Sequence, residues 1–245
     1  MKNAPIRIAD LHVSHGTTEV LHGVSAEFPA ESISALLGAS GSGKTTLLEH
    51  VLGLRKPPAG SVYLLGEDVG SASRDELDAL RQRTGMLFQD GALINSRTIL
   101  ENCSVPLEQH TKLPGDLIRR IVMTKLRLVG LEDAGSRYPH QLSGGMRKRA
   151  AIARAIALDP ELLLCDEPSS GLDPLTAKGL DELLVELQST LSMTIVIISH
   201  DLASIRRVAD QIFFLHSGRI IFRGTVEEAE QSPLAELARY FEAGA

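Results

Sequence analysis

A glycine-rich segment directly after an apolar run constrains the fold more than any other feature of this sequence. Residues 38–45 read Gly-Ala-Ser-Gly-Ser-Gly-Lys-Thr, and residues 32–37 before them form a short run in which apolar residues dominate. Such a run predicts a buried strand, and a helix is expected to begin at Lys44 and to end by Gly53. A strand, a glycine-rich turn and a helix in this order predict an α/β fold with a phosphate-binding loop.

The residue types of this segment suit the recognition of phosphate groups. Glycines let backbone N–H groups curl around phosphate oxygens, because no Cβ stands in the way. The N-terminus of the following helix adds a positive dipole end, Lys44 adds a point charge, and the Thr45 hydroxyl can coordinate Mg²⁺. The alternative is an ordinary turn with an incidental lysine, and the flanking strand and helix favour the phosphate site.

A second apolar run ends in a pair of carboxylates. Residues 162–165 are apolar, and Asp166 and Glu167 follow them. Beside a phosphate loop, Asp166 is expected to hold the Mg²⁺ shell and Glu167 to orient and polarise the attacking water. Taken alone, the pair has a plainer interpretation, because many strands end in acidic turns.

Composition excludes several classes of protein. The 25 Lys and Arg against 31 Asp and Glu give a net charge of −6, which argues against a general nucleic-acid coat. Cys103 and Cys165 form neither a disulfide framework nor a metal-ligand spacing, so a reduced, cytoplasmic compartment is expected. Neither a signal peptide nor a membrane-spanning segment of ~18 apolar residues is predicted.

Strand and helix signals alternate along the chain except in its middle. From about residue 90 to residue 158 the apolar spacing is helical, which predicts an α/β core with a helical insertion. Ser73 and Glu76 form the pattern of a capping box. The predicted strands are residues 6–13, 20–28, 32–37, 61–65, 85–88, 162–165, 194–199 and 212–215. The predicted helices are residues 44–53, 73–83, 114–129, 146–158, 174–190 and 234–241.

Four further motifs carry a family resemblance. Gln89 follows an apolar strand, Leu-Ser-Gly-Gly at 142–145 precedes a helix, Ser-Gly-Leu-Asp at 170–173 follows the acidic pair, and His200 follows another strand. This order resembles the nucleotide-binding subunits of ABC transporters from about residue 6 to residue 224. The resemblance implies an ATP-hydrolysing enzyme with a P-loop NTPase core, an antiparallel β subdomain and a helical subdomain insertion.

The resemblance implies roles for individual residues. It assigns Glu167, His200 and Gln89 to hydrolysis. It implies that the ATP-binding residues are Gly38, Ser40, Gly41, Gly43, Lys44, Thr45, Thr46, His15, Ser143, Gly144, Gly145 and Asp173. It implies that Mg²⁺ is bound by Thr45, Gln89 and Asp166. Each single motif also has a plainer interpretation, in which Ser143 and Asp173 are helix caps, Gln89 is a solvated loop residue and His200 is a satisfied strand-end histidine.

One position departs from the family pattern. The family usually places an aromatic residue near the end of the first strand, where it stacks on adenine, and His15 stands there in this sequence. An imidazole offers less stacking area than a phenol ring. The resemblance therefore leaves the preference for ATP over GTP open at this position.

The resemblance also implies a domain organisation and an assembly. A single ABC ATPase domain is expected over residues 1–245, with a RecA-like core and β subdomain in 1–89 and 159–228. Residues 90–158 are expected to form the helical subdomain, and residues 229–245 a short C-terminal helical extension. Two copies are expected to close head to tail around two ATP molecules, with Ser143, Gly144 and Gly145 of one copy capping the γ-phosphate bound by the other.

Two short stretches indicate which group of ABC transporters this sequence resembles. Residues 86–93 and 106–114 are similar to the ATPase of Mla-type phospholipid transporters, which maintain outer-membrane lipid asymmetry in Gram-negative bacteria. This similarity implies permease subunits, an MCE-domain lipid-binding protein and, in some systems, a STAS-domain protein as partners, with no nucleic acid. It implies a peripheral location on the cytoplasmic face of the bacterial inner membrane.

Other functions stay open at this point. One is the ATPase of an ABC importer for another substrate. Another is an ABC ATPase of translation or DNA repair, although such proteins usually carry two cassettes or a long coiled-coil insertion. A GTPase or nucleotide kinase is disfavoured because the sequence has no Asn-Lys-x-Asp motif. A non-catalytic regulatory cassette is disfavoured because Lys44, Asp166 and Glu167 are all present.

Three smaller expectations concern residues outside these motifs. The basic run at 147–149 is predicted to be a solvated helix face, with nucleic-acid contact as the alternative. Cys165 is predicted to behave as a small hydrophobe within its strand. Phe213 and Phe214 are predicted to be core strand residues.

Overall fold

The computed structural model describes residues 4–243. Within the predicted single domain, residues 1–3 lie outside the described residues, as do residues 244 and 245 of the predicted C-terminal extension. The chain divides into two compact units, one containing residues up to 81 together with those from 194 onward, and one containing residues 82–193. The finer division predicted from the sequence stays a prediction.

The described residues contain short strands and helices that alternate along much of the chain. The strands are β1 (Ile6–His15), β2 (Thr18–Phe28), β3 (Ile33–Leu37), β4 (Val62–Leu64), β5 (Glu67–Asp68), β6 (Thr84–Leu87), β7 (Leu162–Asp166), β8 (Thr194–Ile198), β9 (Gln211–His216) and β10 (Arg219–Gly224). The helices are α1 (Lys44–Val51), α2 (Arg74–Gln82), α3 (Ile99–His110), α4 (Gly115–Leu128), α5 (Gly144–Ala155), α6 (Pro174–Leu191), α7 (Leu202–Val208), α8 (Val226–Glu230) and α9 (Ala235–Ala243). Every strand and helix predicted above has a counterpart within a few residues.

The first unit contains an antiparallel sheet with the strand order β2-β1-β4-β5. Strands β1 and β2 form a long hairpin in which Ile6 pairs with Phe28 and His15 with Thr18. Helix α1 packs against β2 and β4. The Phe28 ring stacks on Phe213 of β9 with the ring centroids 4.2 Å apart, so this sheet shares a core with the strands described next.

The same unit contains strands that run parallel to one another. Strand β3 lies between β8 and β9 and pairs in parallel with both, whereas β10 pairs antiparallel with β9. All side chains of β3 and β8 are buried, as expected for parallel strands that are covered on both faces. Phe213 and Phe214 of β9 are also buried, which confirms their prediction as core residues.

The second unit joins a parallel strand pair to a set of packed helices. Strands β6 and β7 pair in parallel, with Thr84 opposite Leu162 and Leu87 opposite Cys165. Helix α3 packs against α4 and α5, and α4 packs against α5. Helix α3 begins with a capping box between Thr98 and Glu101 that the sequence analysis did not identify.

Two capping boxes show how the sequence sets helix starts. In the predicted box before α2, the Glu76 N–H donates to Ser73 Oγ at 3.3 Å, and the Ser73 N–H donates to Glu76 Oε2 at 2.7 Å. The same reciprocal bonds join Thr98 and Glu101 before α3. Helix α3 contains Pro106 and was not among the helices predicted individually, although it lies in the segment whose apolar spacing is helical.

A buried amide on α3 fixes the loop that precedes this helix. The Asn102 side chain is fully buried, and its Nδ2 donates to the carbonyl oxygens of Ile94 at 3.0 Å, Arg97 at 3.1 Å and Thr98 at 2.9 Å. Its Oδ1 accepts the N–H of Ile94 at 2.7 Å. The hydrogen bonds of this one side chain therefore hold the backbone of residues 94–98 in place, where no helix or strand does so.

Replacing Asn102 by alanine is expected to lower the free energy of unfolding by about 2–4 kcal/mol, because four hydrogen bonds between one buried side chain and this loop are lost. Urea unfolding with the slope compared between variants measures this change. The exposed Asn95 in the same loop is the matched control, and its replacement by alanine is expected to change stability by less than about 0.5 kcal/mol. Equal effects of the two substitutions would contradict the role of Asn102.

Candidate functional site

The glycine-rich loop connects β3 to α1, and its geometry requires glycine at two positions. A Cβ on Gly38 would lie 2.3 Å from the carbonyl oxygen of Leu215. Gly43 has φ 108° and a Cβ there would lie 2.7 Å from the Leu21 side chain. Both distances are shorter than a van der Waals contact allows, so the loop keeps this shape only with glycine at these positions.

Lys44 folds back over this loop. Its Nζ donates to the carbonyl oxygen of Gly38 at 2.6 Å and to that of Ala39 at 3.0 Å. Gly43, the N-cap of α1, contributes no side-chain hydrogen bond, and Thr45 on the first turn is exposed. The loop therefore presents an ammonium group, a helix N-terminus and a hydroxyl at one place, which is the chemistry that binds an oxyanion.

The remaining members of the loop differ in exposure. Ser40 and Gly41 are exposed, whereas Thr46 is buried in α1. Gly41 has φ 77°, in the left-handed region. The exposed residues are accessible to a ligand, and Thr46 packs as part of the helix.

His15 ends β1 in the same unit and is exposed. Its Nε2 accepts a hydrogen bond from Arg55 Nη1 at 3.3 Å, and Arg55 Nε lies 2.7 Å from Glu49 Oε2. Because arginine only donates, the imidazole nitrogen is the acceptor in this bond. This ring stands at the predicted base-stacking position.

His200 lies at the same edge of the parallel strands as the glycine-rich loop. Strands β3 and β8 pair in parallel, with Leu36 opposite Ile198. The loop follows β3 and His200 follows β8, so the carboxyl ends of neighbouring strands bring them together. His200 is exposed, and Asp201 after it caps α7 by accepting the N–H of Ser204 at 3.1 Å.

In the second unit, parallel pairing of β6 and β7 likewise brings Gln89 and the acidic pair to one edge. Leu87 is opposite Cys165. Gln89 comes two residues after Leu87, and Asp166 and Glu167 come directly after Cys165, so all three lie at the carboxyl ends of the paired strands. The Gln89 Nε2 donates to Ser170 Oγ at 3.4 Å. Glu167 has φ 47°, a left-handed conformation that is uncommon for a residue with a side chain.

The N-terminus of α5 is built from the Leu-Ser-Gly-Gly segment. Ser143 is the N-cap, and its Oγ accepts the N–H of Met146 at 3.3 Å. A Cβ on Gly145 would lie 2.4 Å from Thr176 Cγ2, and a Cβ on Gly144 would lie 3.3 Å from Leu172. Glycine at 145 thus allows α5 to approach α6 closely, and the N-cap interpretation of Ser143 is confirmed.

Asp173 caps α6. Its carboxylate accepts the N–H groups of Leu175 and Thr176, both at 3.1 Å, and the Thr176 hydroxyl at 2.5 Å. The hydrogen bond from that hydroxyl is the largest contribution that lowers the pKa of Asp173. Asp173 is therefore ionised and a helix cap, and any further role in coupling two subunits stays a prediction.

The basic run on α5 is not a solvated face, and that prediction was wrong for two of its three residues. Lys148 is only 7% exposed, and its Nζ donates to the backbone oxygens of Gln89 and Glu167, the latter at 3.1 Å. Arg149 donates to the backbone oxygens of Val129 at 3.1 Å and Gly179 at 2.9 Å. Arg147 is exposed as predicted. The charges of Lys148 and Arg149 are thus used to bind backbone inside this unit.

Burial dominates the titration of the groups around Lys148. Loss of hydration lowers the pKa of Lys148, and the neighbouring carboxylates of Asp90, Glu167 and Asp166 act in the opposite direction. Burial raises the pKa of Cys165 to about 12. Cys165 is therefore a protonated thiol in an apolar strand, as predicted.

Two functional candidates on α5 were missed by sequence reasoning. Lys148 contacts the Gln89 loop, and so does Arg154, whose guanidinium donates to the oxygens of Gly91 at 2.7 Å and Ala92 at 2.6 Å. The sequence did contain a pattern that indicated Lys148, because Gly145, Lys148 and Ile152 have the spacing of one helix face. All three residues are buried in the structure. The spacing predicts that Lys148 faces the protein interior, whereas its residue type alone predicts a solvated side chain.

A cavity of about 410 Å³ lies in the second unit beside the N-terminus of α3. Three acidic side chains and one basic side chain line it, so its charge is net acidic. Its lining residues are Thr98, Leu100, Glu101, Arg119, Met123, Glu132, Asp133, Gly135 and Ser136.

Within residues 4–243 there is neither a cluster of metal-binding side chains nor a helix able to span a membrane. These residues contain no group of three or more histidine, cysteine, aspartate or glutamate side chains arranged to hold a metal ion. Mg²⁺ bound to a nucleotide typically uses one or two protein ligands, with phosphate oxygens and water supplying the rest. Among the same residues, the helices are all too short or too polar to cross a bilayer.

Comparison with known sequences places these features in one family. Residues 21–170 match the family described as ABC transporter. The ATP-binding protein MlaF of the Escherichia coli intermembrane phospholipid transport system is 39% identical over 228 residues, which cover 93% of this chain and 85% of MlaF. The probable ribonucleotide transport ATP-binding protein mkl of Mycobacterium leprae is 38% identical over 265 residues, covering 98% of this chain and 76% of mkl.

Comparison with solved structures confirms the predicted fold class. The structure of cbiO1 from Clostridium perfringens, part of the ABC transporter complex cbiONQ, has a TM-score of 0.87 and 30% identity, covering 98% of this chain and 95% of that one. A dimeric post-hydrolysis structure of the ATP-binding cassette MJ0796 with ADP and Pi has a TM-score of 0.79 and 30% identity, covering 90% of this chain and 98% of that one.

Proposed function

Since the chain belongs to the ABC transporter family and is one of its ATPases, we propose that it powers phospholipid transport between the inner and outer membranes and so maintains outer-membrane lipid asymmetry. The observation that carries this proposal is the phosphate-binding geometry of residues 38–45 in a chain 39% identical to a phospholipid transport ATPase. The specific substrate is proposed from that relative's name alone.

In the proposed reaction, the loop and its helix bind the nucleotide phosphates. The backbone of residues 38–43 and the Lys44 ammonium hold the β- and γ-phosphates. Ser40 lies on the exposed side of this loop, Thr46 supports it from within the first turn of α1, and the His15 ring lies against the base. Glu167 accepts a proton from the attacking water, and His200 contacts the γ-phosphate.

The residues proposed for the metal fit its chemistry. Thr45, Gln89 and Asp166 offer a hydroxyl, an amide and a carboxylate oxygen, and these hard oxygen donors are the kind that Mg²⁺ prefers. When bound, Mg²⁺ neutralises charge on the phosphate oxygens. The exposure of Thr45 on the first turn of α1 supports its assignment as one of these ligands.

Two copies of the chain are proposed to form the working unit. Ser143, Gly144 and Gly145 begin α5, and a helix N-terminus of this kind favours an anion supplied by a second copy. Asp173 is proposed to act in the loop that couples the two sites. The dimeric state of the MJ0796 cassette supports this arrangement.

The proposed partners are permease subunits in the bacterial inner membrane, with this chain on the cytoplasmic face. An MCE-domain protein and, in some systems, a STAS-domain protein complete the proposed complex. The acidic cavity beside α3 supports a permease contact, because Glu101, Glu132 and Asp133 would attract a basic cytoplasmic segment. No nucleic acid is proposed as a partner.

A second candidate function is transport of ribonucleotides. It is favoured by the similarity to mkl, which is nearly as identical to this chain as MlaF and which covers more of it. In that case the ATPase mechanism is unchanged, and only the permease and its substrate differ.

Recovery of a tagged chain from its native membranes in mild detergent is the experiment that separates these functions. Mass spectrometry of the copurified material is expected to find a permease, an MCE-domain protein and bound phospholipid. A permease with ribonucleotides in place of phospholipid would replace the lipid assignment. Ribosomes or DNA-repair proteins without a membrane protein would contradict a role in transport.

The same recovery tests the proposed permease contact. Replacing Glu132 by lysine reverses a charge in the acidic cavity and is expected to reduce the amount of permease recovered. Replacing Glu186 by lysine, on the exposed side of α6, makes the same charge change away from the cavity lining and is expected to leave recovery unchanged.

A further inference from the structure

Lys148 joins the backbones of two loops that carry proposed catalytic residues. It lies on α5, one turn after Gly145, and its side chain is 7% exposed. Its ammonium donates to the carbonyl oxygen of Gln89 and, at 3.1 Å, to that of Glu167. Within the second unit, one charged side chain therefore fixes the distance between the loop after β6 and the loop after β7.

The conformation of Glu167 explains why such a bond is needed. Its φ of 47° is in the left-handed region, which is unfavourable for a residue with a Cβ and persists only when surrounding contacts hold it. Its carbonyl oxygen accepts the Ser170 N–H at 3.2 Å in addition to the Lys148 ammonium. Both donors hold the peptide plane that follows Glu167, and so restrain the backbone from which the Glu167 side chain projects.

We propose that Lys148 is a positioning residue for hydrolysis, which holds Glu167 and Gln89 in register by binding their backbone oxygens. The proposal rests on the roles proposed above for those two residues. Lys148 touches neither carboxylate nor amide side chain through these bonds, so it acts on the reaction through the backbone. The carboxylates of Asp90, Glu167 and Asp166 also interact favourably with its positive charge.

Helix α5 connects the segment proposed to meet the nucleotide of the other subunit with the loop of residues 89–92. The helix begins at Ser143 and Gly144, the segment proposed to meet the nucleotide of the other subunit, and Lys148 and Arg154 bind the loop of residues 89–92 further along the same helix. A shift of α5 caused by that nucleotide would therefore move the Gln89 and Glu167 backbones together.

Replacing Lys148 by methionine removes the donors and the charge while keeping a long unbranched side chain. We expect kcat for ATP hydrolysis to fall about 10- to 100-fold, because a misplacement of about 1 Å has effects of this size. The KM for ATP is expected to stay within about twofold, because Lys148 is proposed to act on turnover and not on nucleotide binding. The matched control is Lys178→Met on the exposed surface of α6, which is expected to leave both constants unchanged.

Two further variants separate positioning from a merely structural role. Lys148→Arg keeps donors and charge and is expected to recover most of the lost kcat. In a Glu167→Gln background, Lys148→Met is expected to cause little further loss, because both changes act on the same group. If Lys148→Met reduces the yield of folded protein, Lys148→Gln, which keeps one donor group, gives the same comparison with an intermediate kcat.

The outcomes also separate this proposal from the proposed function. Wild-type kcat in Lys148→Met, or a fully additive loss in the Glu167→Gln background, would overturn the positioning role. An equal loss of kcat in Lys148→Met and Lys148→Arg, with a lowered Tm in both variants, would instead show that Lys148 has a structural role only. By contrast, recovery of a permease for another substrate would remove the lipid assignment and leave the effect of Lys148 on turnover unaltered.

Discussion

Replacing Glu167 by glutamine is expected to slow ATP hydrolysis at least about 100-fold while leaving ATP binding intact. Glutamine has the shape of glutamate but cannot accept a proton from the attacking water, and general-base catalysis of this kind contributes about 10²- to 10⁴-fold to a rate. Binding is proposed to use other groups, chiefly the glycine-rich loop and Lys44. ATP is therefore expected to remain bound, and the two-subunit form that closes around it should accumulate.

Phosphate release and sedimentation of the same samples measure the two parts of this expectation. With Mg²⁺ and ATP, the Glu167→Gln variant should release phosphate at least about 100-fold more slowly than the wild type and sediment as a dimer. Glu182→Gln makes the same chemical change on the exposed surface of α6 and should behave as the wild type does in both assays. Near-normal turnover in Glu167→Gln would reject Glu167 as the hydrolytic carboxylate.

The phosphate loop could be predicted from sequence because its requirements are local. The φ of 108° at Gly43 and the 2.3 Å approach of a Cβ on Gly38 to the Leu215 oxygen exclude other residue types at these two places. Such constraints leave a fixed pattern in a short window. Runs in which apolar residues dominate likewise predicted β3 and β8, whose side chains are all buried.

Features that depend on distant partners could not be predicted in the same way. Strand β5 has only two residues and exists because Tyr63 and Leu64 of β4 pair with Asp68 and Glu67. Helix α3 contains Pro106, and its start is fixed by a capping box. In both cases the local sequence is compatible with several structures, and tertiary packing selects one of them.

Lys148 shows the same limit within the candidate site. A run of three basic residues usually lies in water, since burying an ammonium costs free energy unless it is hydrogen-bonded. The carbonyl oxygens that bind Lys148 belong to residues 59 and 19 positions away in the sequence. Nothing near the run identifies them. Only the helical spacing from Gly145 to Ile152 indicated that this side chain faces inward.

Replacing Lys44 by alanine is expected to abolish ATP binding. In the structure the Lys44 ammonium is held over the loop by the oxygens of Gly38 and Ala39, at 2.6 and 3.0 Å, where it can meet a bound phosphate. Loss of a single charge-assisted hydrogen bond costs about 1.5–3 kcal/mol, which corresponds to a loss of affinity of about 10- to 150-fold. Alanine also frees these two oxygens to repel the phosphate, so we expect the loss to be at least about 100-fold.

Titration calorimetry with ATP and Mg²⁺ measures this loss directly. Lys112→Ala removes an exposed lysine outside the loop and is the control for the change in net charge, with affinity expected to remain at the wild-type value. An unchanged affinity in Lys44→Ala would contradict the phosphate-loop assignment itself. Comparison with Glu167→Gln then separates the two proposed roles, because one variant should lose binding and the other should lose only turnover. If both variants lost binding equally, the proposed division between a nucleotide-holding loop and a hydrolytic carboxylate would be wrong.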